Sequence, residues 1–239
     1  ARGDIAGLAK VPVPESRIVP LAPFVDVGAL QKASGSVPKR QARAALLGSN
    51  TAAGPVLLAV GMMRHRAKLE SYRLLAGALK HLADLDWTLV IVGDGPARPQ
   101  VEALFAGLPA ARVRFLGAVP ADAMAPVYRG ADIFTWPGVN EAYGMVYLEA
   151  QSCGLPVVAT ASGGVANVVR DATSGILVGA GQTGAYRDAL ERLIIDAARR
   201  RELGGLAARF VAETHSLEQA GRAIGRALER ITFEGKSKS

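Results

Sequence analysis

Short apolar runs that alternate with longer helical patterns are the feature that most constrains the fold of this chain. Each run is continuous, and several contain β-branched residues, as in parallel strands that are covered on both faces. A strand followed by a helix, repeated along the chain, indicates right-handed βαβ units. The sequence therefore predicts an α/β fold with a doubly wound, Rossmann-like parallel sheet. The six runs are Val56–Val60, Thr88–Val92, Val113–Leu116, Ile133–Trp136, Val157–Ala159 and Ile176–Val178.

Helical patterns follow most of these runs and also close the chain. We interpret residues 51–239 as one domain in which these helices cover the sheet. The patterns that follow a run are Leu69–Ala83, Ala97–Ala106, Asp122–Arg129, Tyr143–Cys153 and Val165–Arg170. The closing patterns are Gly184–Asp196, Ala198–Glu213 and Leu217–Ile231.

The first fifty residues have a different character, because prolines interrupt them at positions 12, 14, 20 and 23. We interpret residues 1–50 as a linker that carries an edge strand and one short helix around Arg40–Leu47. The chain begins without Met and without the apolar core of a signal peptide. We therefore expect that either its first residues were removed or it is a piece of a longer chain.

Composition excludes several classes of protein. The single cysteine, Cys153, rules out a disulfide framework and a zinc site built from cysteines. No apolar stretch has the length of a transmembrane helix. The net charge of +7 fits ordinary solubility, attraction to phosphorylated ligands, or attraction to an anionic membrane face. Aromatic residues make up only 5% and do not alternate with basic runs, which argues against nucleic acid as a partner.

The loops that follow the strands are the candidate sites, because open α/β sheets bind ligands at the carboxyl ends of their strands. The loop after Val60 starts with Gly61 and carries the cations Arg64, Arg66 and Lys68. Arginine binds a diphosphate by paired hydrogen bonds, and lysine binds it as a point charge. The alternative is a solvated helix start with surface charges, which the charge pattern alone favours.

The loop after Trp136 carries two carboxylates, Glu141 and Glu149, with seven residues between them. Eight helical steps of 1.5 Å span about 12 Å, which is near the ribose-to-hexose distance in a nucleotide sugar. The amides of an intervening helix start would face the bridging diphosphate. The alternative is a carboxylate favoured by the helix dipole and a second one that faces solvent. Spacing alone leaves the two interpretations even.

Two further loops contain paired glycines. Gly93 and Gly95 follow the second run, and Gly163-Gly164 follows the fifth. Glycines at these places permit a tight turn and the close approach of a ligand to backbone amides. Plain turns explain both loops equally well.

Taken together, six segments resemble the donor-binding half of retaining GT-B glycosyltransferases, and specifically family four, whose signature is two glutamates with seven residues between them. The resemblance runs from about Val19 to the C-terminus, and the segment 20–26 is similar to the family's crossover from its acceptor domain. The six segments are Val90–Pro96, Phe115–Gly117, Glu141–Glu149, Gly154–Val158, Gly163-Gly164 and Ser174–Val178.

The resemblance implies a role for individual residues. It assigns Glu149 to the nucleotide ribose, Glu141 to the donor hexose and Lys68 to the phosphates. It assigns Tyr143, Gly144, Met145 and Val146 to the turn whose amides face the sugar and diphosphate, with Gly61 and Gly93 in the neighbouring donor-binding loops. Met62 stands where the family usually has an arginine, so Arg64 or Arg66 takes that place. The implied catalytic set is therefore Glu141, Lys68 and Arg64.

The resemblance also implies a function: transfer of a sugar from a nucleotide-diphospho-sugar, with retention at the anomeric carbon and without a metal or other cofactor. A separate N-terminal acceptor domain or a partner subunit would complete the enzyme. We expect the protein in the cytoplasm, with peripheral contact at the inner face of the membrane as a further expectation. The alternatives are a non-catalytic module that binds a nucleotide or nucleotide sugar, and an epimerase or phosphorylase of the same architecture. A phosphorylase would carry a recognisable pyridoxal lysine segment, and the sequence has none.

Overall fold

The computed structural model describes residues 18–48 and 54–236, and its centre is a six-stranded parallel sheet. The order of the strands is β3-β2-β1-β4-β5-β6, so the chain winds outward from β1 in one direction and then from β4 in the other. This confirms the predicted doubly wound α/β fold. The strands are β1 (Val56–Val60), β2 (Thr88–Val92), β3 (Val113–Gly117), β4 (Ile133–Thr135), β5 (Val157–Ala161) and β6 (Gly175–Gly179).

Burial on both faces explains why the strands are continuous apolar runs. The residues of β2 are buried throughout, and those of β1 are buried up to Val60. β1 pairs with β2 along its whole length, from Val56 opposite Thr88 to Val60 opposite Val92. On its other side β1 pairs with β4. Pairing satisfies both edges of β1, and helices that cover both faces of the sheet leave no exposed face of the central strands for polar side chains.

Helices cover both faces of the sheet. One layer consists of α3, α4 and α7, and the other contains α1, α2, α5, α6 and α8, according to which helices pack together. Among the helices that the structure describes, none combines the length and apolar character needed to cross a membrane. The helices are α1 (Val27–Gly35), α2 (Lys39–Leu47), α3 (Ala67–Lys80), α4 (Arg98–Phe105), α5 (Met124–Gly130), α6 (Met145–Ser152), α7 (Thr183–Ile195), α8 (Ala197–Thr214) and α9 (Leu217–Lys236).

The segment before β1 differs from the prediction. The short helix expected around Arg40–Leu47 is present as α2, but α1 was not predicted. Asp26 caps α1 by accepting a hydrogen bond from the Ala29 amide at 2.8 Å, so the helix begins directly after the proline-rich stretch. No strand lies within residues 18–48, where only Val25 forms an isolated bridge. The rest of the predicted linker, residues 1–17 and 49–50, lies outside the described residues.

Both early helices contact the sheet domain, α1 by packing on α5 and α6 and α2 through Asp132. Asp132, at the start of β4, accepts hydrogen bonds from Lys39 at 2.8 Å, from Arg43, and from the Val56 amide at 2.9 Å. Burial acts to raise the pKa of Asp132, but Lys39, the amide and Arg43 outweigh it and lower the pKa. Residues 27–47 therefore form part of the packed domain.

A second fastening holds the segment that precedes α1. The Val25 amide donates to the His215 carbonyl at 2.9 Å, and the Leu217 amide donates to the Val25 carbonyl at 3.1 Å. The His215 ring is buried, and its Nδ1 lies 2.7 Å from the Pro23 carbonyl oxygen. The entrance to α1 is thereby held against the junction of α8 and α9.

One predicted helix is wrong in extent. The pattern at Val165–Arg170 forms only a 3₁₀ turn over Val165–Asn167. Val165, Val168 and Val169 are all buried. β-Branched residues favour extended backbone over helix, and the core already accommodates these side chains without a longer helix.

Candidate functional site

A cavity of about 900 Å³ lies at the carboxyl ends of β1, β2, β3 and β4, where the strand order reverses. We call it the switch-point cavity, because ligands of doubly wound sheets bind at this position. It gathers all the predicted site residues except Arg64 and Arg66. Those lining it are Gly61, Lys68, Gly93, Glu141, Tyr143, Gly144, Met145, Val146 and Glu149.

Lys68 and Glu141 form an ion pair at one end of the cavity. The Lys68 Nζ lies 2.5 Å from the Glu141 Oε2, and the side chains are 24% and 15% exposed. Trp136 donates to the same oxygen from its Nε1 at 3.3 Å, and its ring centroid lies 5.5 Å from the Lys68 Nζ. A cation and a carboxylate therefore reach the cavity in fixed positions, each neutralising the other.

Trp136 contacts both members of this ion pair. Sequence analysis did not identify it as part of the site. The ring is fully buried and packs edge-on against Tyr72, with centroids 4.8 Å apart. A Cβ at Gly61 would lie 2.8 Å from the Trp136 ring, so this position requires glycine. Tyr72 donates to the Gly61 carbonyl at 2.6 Å. The only sequence signal for Trp136 was its place at the end of a predicted strand, which an ordinary core tryptophan would also occupy.

The backbone at position 93 requires glycine for a structural reason. Its φ of 138° lies in the region that L side chains rarely adopt, and a Cβ there would lie 1.9 Å from the Gly61 carbonyl oxygen. The Gly93 amide donates to the Gly117 carbonyl at 2.8 Å. Gly93 thus lets the loops after β1, β2 and β3 close against one another along the edge of the cavity.

The glycine pair Gly163-Gly164 packs against the loop that runs from Trp136 to α6. The Gly164 amide donates to the Glu141 carbonyl at 2.8 Å, and a Cβ at Gly164 would lie 1.7 Å from the Ala142 carbonyl oxygen. Gly163 has a φ of 59°, and a Cβ there would lie 2.1 Å from the Glu141 carbonyl oxygen. The Gly164 amide therefore positions Glu141, which favours the plain-turn interpretation of this loop over the one in which that amide faces a ligand.

α6 begins with its first turn at the cavity. Gly144 precedes it with a φ of 66°, no side chain caps the helix, and Met145 and Val146 line the cavity. The amides of a helix start carry partial positive charge and suit an anion. The estimate of eight helical steps between Glu141 and Glu149 is wrong, because the helix starts at Met145 and the preceding residues form a loop.

Glu149 lies within α6 and lines the same cavity. It is half-buried, and its Oε2 accepts a hydrogen bond from the Tyr128 hydroxyl at 2.6 Å. Burial and then the charge of Glu149 raise the pKa of Tyr128 well above its usual value, so the phenol remains a donor. Glu149 is therefore not a helix residue that simply faces solvent, and Tyr128 is a second neighbour of the site that sequence analysis missed.

Arg64 and Arg66 differ in position from the other predicted residues. Both are exposed and neither lines the cavity. Arg66 has a φ of 63° and directly precedes α3, whereas Lys68 is the second residue of that helix. The start of α3 thus directs Lys68 to the cavity and leaves the two arginines in solvent. Within residues 18–48 and 54–236, no group of three or more His, Cys, Asp or Glu side chains is arranged to hold a metal ion.

Comparison with known sequences assigns the class of protein. The chain belongs to the family described as Glycosyl transferases group 1, whose sequence model matches residues 54–196. A D-inositol 3-phosphate glycosyltransferase of Salinispora tropica is 37% identical over 195 residues, which are 77% of this chain and 40% of that protein. The matched region therefore spans less than half of that relative.

Solved structures share the fold. A glycosyltransferase of Rickettsia africae has a TM-score of 0.79 at 18% identity, over 94% of this chain and 61% of that one. Anabaena HepE in complex with UDP-glucose has a TM-score of 0.66 at 19% identity, over 87% of this chain and 56% of that one. This likeness confirms that the fold is that of one half of a GT-B glycosyltransferase.

Proposed function

We propose that this chain is the donor-binding half of a retaining glycosyltransferase of family four, and that the switch-point cavity binds a nucleotide-diphospho-sugar. The observation that carries the proposal is the convergence of Lys68, Glu141, Glu149 and the first turn of α6 on one cavity. A cation and helix amides suit a diphosphate, and two carboxylates suit sugar hydroxyls. The name of the Salinispora tropica relative and the UDP-glucose of the Anabaena complex support the same ligand class.

The three residues give the donor a direction along the cavity. Glu149, inside α6, accepts from the ribose hydroxyls. Lys68 and the amides at the start of α6 contact the diphosphate, and Glu141, before the helix, accepts from the hexose. Because Lys68 pairs with Glu141, a diphosphate that binds Lys68 displaces the Glu141 carboxylate from it. That exchange frees the carboxylate for the hexose in the same step.

The proposed chemistry is stabilisation of a leaving diphosphate. As the bond between the anomeric carbon and the phosphate oxygen breaks, negative charge grows on that oxygen, and Lys68 together with the α6 amides stabilises it. Arg64 or Arg66 adds charge from the exposed loop when the donor is bound. These cations supply what a metal would otherwise supply, so we propose transfer without a metal or other cofactor.

In this proposal the configuration at the anomeric carbon is retained, because the acceptor hydroxyl attacks that carbon from the same face that the leaving group departs from. Glu141 is not assigned as a nucleophile, because the proposal uses its carboxylate to accept hydrogen bonds from the hexose hydroxyls. The leaving phosphate oxygen instead accepts the proton of the acceptor hydroxyl as the new glycosidic bond forms. The acceptor binds to an N-terminal domain or partner subunit, in keeping with the greater length of the relatives.

Peripheral contact with the inner face of the membrane belongs to the same proposal. Besides the net charge of +7, α9 exposes Leu217, Ile224 and Leu228 at helical spacing. Its opposite face carries Arg222 and Arg226, and basic amphipathic helices bind anionic membrane surfaces. Co-sedimentation with vesicles of anionic lipid, but not with neutral vesicles, is the expected result.

Thermal unfolding with UDP, GDP and ADP tests the binding proposal. At one hundred times its Kd, a ligand stabilises the protein by about 2.7 kcal/mol, which raises the Tm by about 5–11 °C for a chain of this size. Lys68→Ala should abolish most of that shift. Arg199→Ala removes an exposed cation of α8 that pairs with Glu202 and is the matched control. If no nucleoside diphosphate raises the Tm, the proposal is wrong.

Incubation with the matching nucleotide sugar separates the candidate activities. We expect slow release of nucleoside diphosphate and free sugar, because water replaces the acceptor. An epimerase would give the epimeric nucleotide sugar, and a non-catalytic module would leave the donor unchanged. Efficient transfer to a defined acceptor by this chain alone would contradict the proposed need for a second half.

A further inference from the structure

We propose that Tyr128 is a positioning residue that fixes the Glu149 carboxylate in the orientation required for a nucleotide ribose. The inference rests on the proposed function, because it assigns the ribose to Glu149. It adds a residue from α5, an element that contributes none of the predicted donor contacts. Its basis is one hydrogen bond between two residues that both line the switch-point cavity.

Tyr128 is itself held rigidly. Its side chain has no solvent exposure, and its ring packs against Phe134 of β4 with centroids 6.3 Å apart. α5 is held between α1 and α2, which pack on it. The hydroxyl is therefore a fixed point at the wall of the cavity, and it bonds the carboxylate of Glu149, which is only half-buried.

The hydrogen bond suits a carboxylate that must accept from a ligand. The Tyr128 hydroxyl donates to Oε2 at 2.6 Å and occupies one acceptor position, which leaves Oε1 for ribose hydroxyls. A neutral donor holds the carboxylate without cancelling its charge. A cation in the same place would form an ion pair that competes with the ligand, as Lys68 does with Glu141 at the other end of the cavity.

Preorganisation of the Glu149 carboxylate by Tyr128 predicts which ligands lose affinity when the Tyr128 hydroxyl is removed. Without Tyr128 the carboxylate must be ordered when the ligand binds, and ordering one flexible side chain reduces affinity by about three- to tenfold. The loss should appear only for ligands that use the carboxylate. A merely structural role for Tyr128 would instead weaken every ligand of the cavity alike.

The experiment compares Tyr128→Phe with the wild-type protein by calorimetric titration of UDP, GDP and ADP and of their 2′,3′-dideoxy forms. Phenylalanine keeps the buried ring and removes one oxygen. The matched control is Tyr186→Phe, because the Tyr186 hydroxyl is also buried and bonded, to Thr135 at 2.6 Å, but does not line the cavity. We expect a three- to tenfold loss for the ribose form alone in Tyr128→Phe and no loss in Tyr186→Phe.

A double-mutant comparison completes the test. In a Glu149→Ala background, Tyr128→Phe should have no further effect on affinity, because the carboxylate that it positions is gone. Unchanged affinity in the single Tyr128→Phe variant, or equal losses for ribose and dideoxyribose ligands, overturns the role of Tyr128. If the wild-type protein itself binds both ligand forms equally, the ribose assignment of Glu149 fails, which is a different result.

Discussion

Lys68 and Glu141 meet across the junction between the two halves of the sheet, with the Nζ and Oε2 atoms 2.5 Å apart. Lys68 follows β1 and Glu141 follows β4, and these two strands are neighbours at the point where the strand order reverses. The pair therefore depends on the topology of the sheet.

The ion pair predicts opposite effects on two ligands. Glu141→Gln removes the carboxylate that competes for Lys68, so affinity for a free nucleoside diphosphate should stay equal or rise. Affinity for the nucleotide sugar should fall about fivefold or more, because hydrogen bonds from the hexose to a charged acceptor are lost. Calorimetric titration of both ligands measures this. Equal losses for the two ligands would contradict the hexose assignment.

Glu149→Ala should weaken nucleoside diphosphates themselves. The variant loses hydrogen bonds from ribose hydroxyls to a charged carboxylate, each contributing about 1.5–3 kcal/mol, so affinity should fall at least tenfold. The 2′,3′-dideoxy ligand is the control and should bind the variant and the wild type alike. An undiminished affinity for the ribose form would refute the assignment.

Gly93→Ala tests the packing of the loops around the cavity. A Cβ there meets the Gly61 carbonyl oxygen and requires a φ that alanine avoids, so we expect a loss of about 3 kcal/mol or more in the free energy of unfolding. Gly205→Ala is the matched control, because Gly205 lies exposed in α8 with open space around it. That change should stabilise the protein by about 0.5–1 kcal/mol. Urea unfolding at neutral pH measures both values.

His215 predicts a pH dependence of stability. Burial, and then the charge of Arg170, lower its pKa in the folded protein, against opposing hydrogen bonds to the Pro23 and Asn167 backbones. In the unfolded chain histidine titrates near 6.5, so below that pH the unfolded state binds more protons. The contribution of His215 to stability is therefore complete above about pH 6.5 and is lost as the pH falls through the lowered folded value.

Urea unfolding at pH 7.5 and pH 5.0 measures this contribution. His215→Asn cannot titrate, so its free energy of unfolding should change less between the two pH values than that of the wild type. His81→Asn is the control, since His81 is exposed at the end of α3. A decrease in His215→Asn as large as that of the wild type would contradict the prediction.

The sheet could be predicted from the sequence because burial on both faces leaves a local mark. Strands β1 and β2 were predicted with their exact bounds, and the other four within two residues, since each is a continuous apolar run that ends at a loop. α1 left no such mark. It has nine residues and one capping aspartate, and its stability comes from packing on α5 and α6, which a local sequence window does not contain.

Part of the candidate site could likewise be predicted from the sequence, and part could not. Lys68, Glu141 and Glu149 follow strands in segments whose spacing is informative, and the structure brings all three to one cavity. Tyr128 and Trp136 are missed, because each looks like a core aromatic until its polar atom is placed beside a carboxylate. Which buried ring turns its hydroxyl or indole nitrogen toward the site depends on contacts between elements far apart in sequence.

The strand order has a consequence for how this protein is made. A ribosome releases β1, β2 and β3 with Lys68 and Gly93 long before β4 and α6, which bring Glu141 and Glu149. A nascent chain that ends before β4 therefore carries Lys68 without either carboxylate. The lysine and the two carboxylates come together only once β4 has docked beside β1, while β5 and β6 are still to be added to the sheet.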